Sequence, residues 1–506
     1  MAVANFFDKI ALGASQILKG YDRSEFEKIL LSHRILIFFD DNAGTTLEGR
    51  ATLDLLVRLI ARLYPVIQIE NVQSSCYVEE LKRLALQINP KIEFADSERP
   101  TICVTVGKTT YSGDSSTFYI GSDNWITRFS LGQPVGSSSS NNPFGAGAAA
   151  CIGAANVFRC VFQDQLQYGA VDQDFSLSLL DFSLSSNSNE LFIQSLHLDE
   201  VVLVGLGAIG NGVVWALQKT PGITGDLVII DDECVALSNL QRYVLTDQDS
   251  INISKATIIK NYLNESKLSV LPEVVKWSSY VSGRKNWQIE TVLTCVDSAE
   301  DRIVIQGALP KTIFNAWTQR ENLGVSRHLS FNQTPCLCCL YYPTQIKKSR
   351  SQEIADNLNI SGYENVIREY LANNLPLDEK LIQLVSSANE ISGIELRPFL
   401  GSSVNIFYSE VVCGGILMKL KGPANEEVRQ GIDVPLAFES ALAGLLLAAE
   451  LFKNKLGYIP QDPSASIQIN LLRPLTPYLN VPEVKMTSCI CNDHIFQDIY
   501  AKKWGF

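Results

Sequence analysis

A four-residue apolar run, Val201 to Val204, is followed at once by Gly205, Gly207 and Gly210 and then by a helical pattern, and that order leaves few folds open. A strand that stops on glycine and feeds a helix lets backbone amides at the helix start approach a phosphate closely. Asp231 ends the next apolar strand, "DLVIIDDE", about twenty residues after the last glycine, where a carboxylate can accept both hydroxyls of a ribose. The helical segment "INISKATIIKNYLNE" and the strand "TVLTCVDS" follow, so the order is βαβαβ. The expected class is α/β, with a parallel, Rossmann-like sheet that binds a mononucleotide.

Composition narrows the function. The 506 residues carry 42 basic and 54 acidic side chains, a net charge of −12, with no Lys/Arg block that would attract nucleic acid. The longest apolar stretch, Val201 to Leu217, is broken by glycines and falls short of the ~20 residues that a bilayer crossing needs. The amino terminus lacks a basic segment followed by an apolar core, so a cytoplasmic protein without nucleic-acid or membrane partners is expected. Twelve cysteines in such a chain read as thiols or metal ligands rather than a disulfide scaffold.

The first half also starts as βα. "RILIFFD" reads as a buried strand, "DNAGTTLEG" as a turn and the residues through Leu63 as a helix, with no glycine fingerprint. An Ala/Gly-rich helix from Pro143 to about Phe162 has a counterpart from Pro435 to Phe452, since "AACIGAANVFR" can be laid over "AGLLLAAELFK". Two βα starts and two small-residue helices favour duplication. The expected boundaries are a first domain at 1–170, a linker at 171–198 and a second domain at 199–506. Within the second, 345–395 reads as a helical insert, 396–425 as a crossover loop and 489–506 as a tail.

Glycines and a ribose carboxylate do not choose between a dinucleotide and ATP. Asn239, Arg242 and Lys255, just past Asp231, suit a triphosphate, because Arg and Lys neutralise the charge that builds on leaving pyrophosphate. Asp297, ending "TVLTCVD", would hold Mg²⁺ at the carboxyl edge of the sheet. An NAD(P)-dependent oxidoreductase has no need of these three groups, and a nucleotide-sensing scaffold would bind ATP without turnover. Cys336 and Cys339 in "TPCLCCLYYP", with Cys489 and Cys491 in "TSCICNDH", could hold one structural Zn²⁺. Cys338 or His494 could replace one of the four. Cys234 and Cys295 read as inert core thiols on strands.

"VLVGLGAIG", "IIDDECVALSNLQR", "SKA" and "CVDS" together resemble the adenylation domain of ubiquitin-activating enzymes and their bacterial relatives ThiF and MoeB. The resemblance covers most of Val201 to Phe506. It implies that the glycines and Asp231 hold ATP, that Asn239, Arg242 and Lys255 contact its phosphates, and that Asp297 coordinates magnesium. Two positions depart mildly: Glu233 stands for the usual second acid, and Tyr243 for the glutamine that commonly follows the arginine. It also implies a cysteine knuckle for zinc and a thioester-forming nucleophile, for which Cys413 in "YSEVVCGGI" is the candidate, in an exposed loop. The first half resembles an inactive adenylation domain, making a pseudo-dimer in one chain, with Arg23 as the arginine donated to the ATP site. The whole is similar to the activating enzymes of bacterial Bil-type conjugation operons. No conjugating-enzyme signature is evident, nor a carboxyl-terminal ubiquitin-fold domain. The implied partners are a ubiquitin-like protein and a conjugating enzyme, with a monomeric pseudo-dimer or a homodimer both open. Adenylation of a sulfur carrier or peptide without a thioester is the alternative.

Overall fold

The computed structural model describes residues 3–73, 76–95, 98–184, 191–320, 322–342, 349–413, 415–421, 433–458, 460, 462, 464–476 and 479–505. Two compact units emerge, one of Met1–Ala4, Ile29–Tyr342 and Pro435–Phe506, the other of Asn5–Lys28 and Pro343–Val434.

The larger unit holds two sheets. The first contains β1 (Ile35–Phe39), β2 (Val66–Asn71), β3 (Glu93–Phe94), β4 (Ile102–Val106), β5 (Ser116–Asp123), β6 (Ile126–Ser130) and β7 (Phe175–Ser178), in the order β3-β2-β1-β4-β5-β6-β7. The second contains β8 (Leu196–Val204), β9 (Ile223–Ile230), β10 (Lys267–Glu273), β11 (Thr291–Thr294), β12 (Thr312–Thr318), β13 (Leu323–His328), β14 (Ala465–Ile469) and β15 (Asn480–Pro482), in the order β10-β9-β8-β11-β12-β13-β14-β15. In each, the first five strands of the order are parallel and the rest antiparallel. Apart from the extra edge strand β15, the two orders are the same.

Helices repeat too. Leu47–Leu63 follows β1 as Ala208–Lys219 follows β8, and Phe144–Val161 lies between β6 and β7 as Ala437–Lys455 lies between β13 and β14. These four apolar helices pack together between the sheets. Small residues allow the close crossing: a Cβ on Gly212 would sit 2.6 Å from the Ala441 carbonyl, and one on Gly444 2.1 Å from the Ile209 carbonyl. Phe144 joins the halves, stacking on Trp125 at 4.9 Å and meeting Phe452 edge-on at 5.1 Å. Phe144–Val161 has the length and apolarity of a membrane span, but it is buried against the rest of the chain, as a core helix is.

Some expectations shift. "DNAGTTLEG" is not a turn: Asp41–Thr45 is a short helix capped by the Asp40 carboxylate, and Thr46 caps the next one. The segment 171–198 is not all linker, because β7 completes the first sheet and β8 already starts at Leu196. Within 396–425, the described residues are largely helical rather than a loop, with helices Val404–Tyr408 and Ile416–Lys421 flanking a π-helical turn, Ser409–Cys413.

The smaller unit is helical, around Ile354, Leu358, Ile367, Leu381, Val385 and Phe407. The segment 5–28 belongs to it, and the helix Arg23–Ser32 leads on into β1. Gly415, at φ +85°, lies against the Asp8 backbone, where a Cβ would come within 2.5 Å of the carbonyl, and the Val434 amide donates to Gln16 at 2.9 Å.

Candidate nucleotide site and cysteine cluster

The glycine loop leaves β8 at Gly205, whose φ of +89° lies in the left-handed region and whose missing Cβ would sit 2.8 Å from the Cys295 carbonyl. The loop therefore lies against the end of β11, close in sequence to Asp297, which is exposed just before the helix Ala299–Gly307. A Cβ on Gly210 would collide with the Gly205 carbonyl at 2.4 Å. Gly207 faces the hydroxyl end of Tyr243, with room for an ordinary contact of 3.4 Å.

Asp231 ends β9 beside this loop. One of its carboxylate oxygens accepts from the Leu206 amide at 2.8 Å and the other from the Glu233 amide at 3.0 Å. Burial pushes its carboxyl above the ordinary aspartate value, while Lys255 and these two amides pull the other way. Lys255 begins the helix Lys255–Tyr262; its ammonium pairs with Glu233, lies 3.6 Å from Asp231 and stands 5.6 Å from the centre of the Tyr243 ring. Burial opposes the charge on Lys255, yet Tyr243, Asp231 and Glu233 hold its pKa above the ordinary lysine value. Asn239 accepts from the Ala236 amide at 2.9 Å and so shapes the turn that carries Arg242. Arg242 is half-buried and lies over the Tyr243 ring at 5.8 Å. The glycines, Asp231, Glu233, Asn239, Arg242 and Lys255 thus form one neighbourhood, with Tyr243 at its centre.

Other residues fall elsewhere. Arg23 belongs to the smaller unit, where its guanidinium is paired with Asp8 and lies over the Phe7 ring at 5.1 Å. Cys413 ends the π-helical turn, in a helical rather than an open setting, and its side chain lies outside the described residues, as do 345–348 and 422–425. Cys295 is buried as expected, which raises its thiol pKa. Cys234 is exposed instead, since its strand ends at Ile230 and only an isolated bridge to Ser254 remains.

The cysteine cluster is well formed. The sulfurs of Cys336, Cys339, Cys489 and Cys491 all lie within 4.8 Å of one another and all four residues are buried. Cys336 and Cys489 are 3.5 Å apart, as are Cys339 and Cys491, and the Met486 amide donates to the Cys339 sulfur at 3.4 Å. Tetrahedral zinc with Zn–S near ~2.3 Å requires sulfurs about 3.8 Å apart, so the set fits that ion. Cys338 instead faces the Ile303 carbonyl, and His494 is exposed at a helix start, so neither joins the four.

Sequence reasoning overlooked a second set of residues at this neighbourhood. Arg58 and Arg62, on the first-half helix, donate to the carbonyls of Tyr243, Val244 and Thr246. The signal was available, as Asp54, Arg58 and Arg62 recur every four residues along an otherwise apolar helix.

A parallel α/β sheet with a glycine loop and a carboxylate at its edge defines a nucleotide-binding protein. The ThiF family matches residues 183–491, and the chain belongs to it. Residues 38–163 match the description "Prokaryotic E2 family C", although no conjugating-enzyme signature was evident in the sequence. The uncharacterized protein y4jF of Sinorhizobium fredii (strain NBRC 101917 / NGR234) is 42% identical over 100% of this chain and 98% of its own length. The adenylyltransferase and sulfurtransferase UBA4 of Debaryomyces hansenii is 29% identical over 29% of this chain and 33% of its own. Among solved structures, E. coli MccB with ATP aligns over 58% of this chain and 65% of that chain at 16% identity and a TM-score of 0.35.

Proposed function

We propose that this chain adenylates the terminal carboxylate of a ubiquitin-like protein, takes the acyl group onto Cys413 as a thioester and passes it to a conjugating enzyme. The observation that carries the adenylation step is the buried cluster of Asp231 and Lys255 against the glycine loop, in a ThiF-family chain. ATP supplies the α-phosphorus that the carboxylate attacks, with pyrophosphate as the leaving group. The amides of 205–210 would approach the phosphates, and Asp231 would accept from the ribose. Arg242 and Lys255 would neutralise the charge that develops on pyrophosphate, and Asp297 would hold magnesium. The sheet leaves these donors fixed before substrate arrives, so little reorganisation accompanies the reaction.

The repeated strand order supports reading the first half as an adenylation-like domain that has lost its nucleotide loop, so that one chain is a pseudo-dimer. In that reading Arg23 is the candidate for the arginine donated to the ATP site. The four cysteines hold a structural zinc that ties the tail 489–505 to the larger unit. The test is the intact mass of the chain after incubation with Mg-ATP and the ubiquitin-like protein encoded beside its gene, for wild type and Cys413→Ala. A reductant-labile gain of one modifier mass, absent from the variant, supports the thioester. A modifier that gains AMP while the chain gains nothing leaves adenylation standing and removes the role of Cys413.

A further inference from the structure

The turn that follows Arg242 closes through the Thr246 amide and hydroxyl, which donate to the Tyr243 carbonyl at 3.1 and 2.9 Å, and its carbonyls also accept from the other half of the larger unit. Arg62 is 1% exposed and lies on the helix Leu47–Leu63. Its guanidinium donates to the Tyr243 carbonyl at 2.6 Å and the Thr246 carbonyl at 2.7 Å. Arg58, one turn earlier, donates to the Val244 carbonyl at 3.0 Å. One further turn back, Asp54 accepts from Arg58 at 3.0 Å and from the Trp215 indole at 2.8 Å, with Lys219 3.5 Å away. Trp215 and Lys219 are on the helix that the glycine loop opens. The same first-half helix therefore grips both the turn and the glycine-loop helix.

A second set of bonds closes the circuit inside the second half. The Leu245 amide donates to the Asn211 side chain at 3.0 Å, and the Asn211 amide group donates to the Leu206 and Gly207 carbonyls at 3.0 and 2.9 Å. Tyr243 lies between, with its hydroxyl end near Gly207 and its ring beside Lys255 and Arg242. The Arg62 Nη2 group, bonded to carbonyls on either side of Leu245 while Nη1 is held by the Arg58 carbonyl, sets where that amide points. It thereby sets the height of the Tyr243 ring over the loop.

We propose that Arg62, assisted by Arg58, is a positioning residue for the nucleotide site: through the 243–246 carbonyls it holds Tyr243, Lys255 and the glycine loop in register for MgATP. This rests on the proposed ATP site and gives the first half a task that its own sheet does not perform. The alternative is that Arg62 only cements the two halves. Arg159 is the matched control, being equally buried in the first half but bound to Asp172, Asn156 and the Ala170 carbonyl, away from the turn.

The experiment is a calorimetric titration of the full chain with MgATP, together with a melting temperature for each variant. Arg62→Met is expected to weaken MgATP binding tenfold or more, whereas Arg159→Met lowers the melting temperature and stays within twofold in affinity. Arg62→Lys keeps the charge but loses the planar guanidinium that Nη1 anchors to the Arg58 carbonyl, and should fall in between; it carries the same test if Arg62→Met does not fold. Because Arg62 acts through the turn, Arg62→Met combined with Tyr243→Leu should bind no more weakly than Tyr243→Leu alone. Affinity within twofold of wild type in both Arg62 variants, or full additivity with Tyr243→Leu, overturns the proposal and leaves the ATP site standing. Wild type that takes up no MgATP overturns both.

Discussion

The two halves of the larger unit diverge at the residue that follows their central strand. After β8 stands Gly205, with no side chain, and the Asp231 carboxylate waits at the end of the neighbouring strand. After β1 stands Asp40, whose carboxylate accepts from the Ala43 amide at 3.1 Å and the Lys108 amide at 2.8 Å and so fills the place that a loop would offer to a ligand. A few residues on, buried Glu48 accepts from the Ser122 hydroxyl, the Asn124 amide and both the amide and hydroxyl of Ser140. The same strand order thus supports two different ends: Asp40 and Glu48 take up amides in a half without a glycine loop, and Asp231 takes up the Leu206 and Glu233 amides beside one. A fold gives positions, and the residues at the strand ends decide whether a nucleotide can use them.

That contrast can be broken most severely at Glu48. Glu48→Ala strands two buried donors, on Ser122 and Asn124, and two half-buried ones on Ser140, and should cost about 3 kcal/mol or more of stability, read as a lowered denaturant midpoint, with MgATP affinity of the folded protein unchanged. Zinc removal is expected to rank next: the chain should carry one zinc by elemental analysis, and Cys491→Ser or a strong chelator should release it and lower the melting temperature while the sheets persist. Asp40→Ala removes a helix cap, at about 1 kcal/mol by the same denaturation measurement, because its counterpart role is structural.

A pH-dependent effect concerns the seam between the halves. Asp54 is largely shielded from solvent, which favours its neutral form, but Arg58, Lys219 and the Trp215 indole together hold its carboxyl well below the ordinary aspartate range. A depressed pKa contributes stability that is present above the unfolded aspartate value and is lost as pH falls toward the folded one. Asp54→Asn should therefore reduce stability at neutral pH and flatten the acid limb of the stability profile below about pH 4.

Much of this was legible in the sequence where local signals are strong. The βαβαβ order, the glycine loop, Asp231, Asn239, Arg242 and Lys255 follow from a strand-stopping glycine pattern and from charges at short intervals, and the structure brings them together around Tyr243. The four cysteines were legible as two short spacings, although only packing shows that Cys338 and His494 stand aside. The hairpin β5–β6 and the strand β10 were missed, because their apolar runs are interrupted by Gly121 in one case and by Ser269 and Pro272 in the other. The pairing of 5–28 with the insert was out of reach, since it is a contact between segments more than 300 residues apart. Arg58 and Arg62 were visible as charges on an apolar helix, but their acceptors are backbone carbonyls nearly 200 residues away, which no side-chain pattern announces.

In the proposed function, one half binds nucleotide and the other, with the same strand order, does not. Calorimetric stoichiometry for MgATP on wild type, Asp231→Ala and Asp40→Ala tests it directly. The account predicts one ATP per chain for wild type and for Asp40→Ala, and loss of binding by about a hundredfold for Asp231→Ala, as expected when a buried charged hydrogen-bond acceptor is removed. Two ATP per chain, or binding that survives Asp231→Ala and disappears in Asp40→Ala, would contradict it.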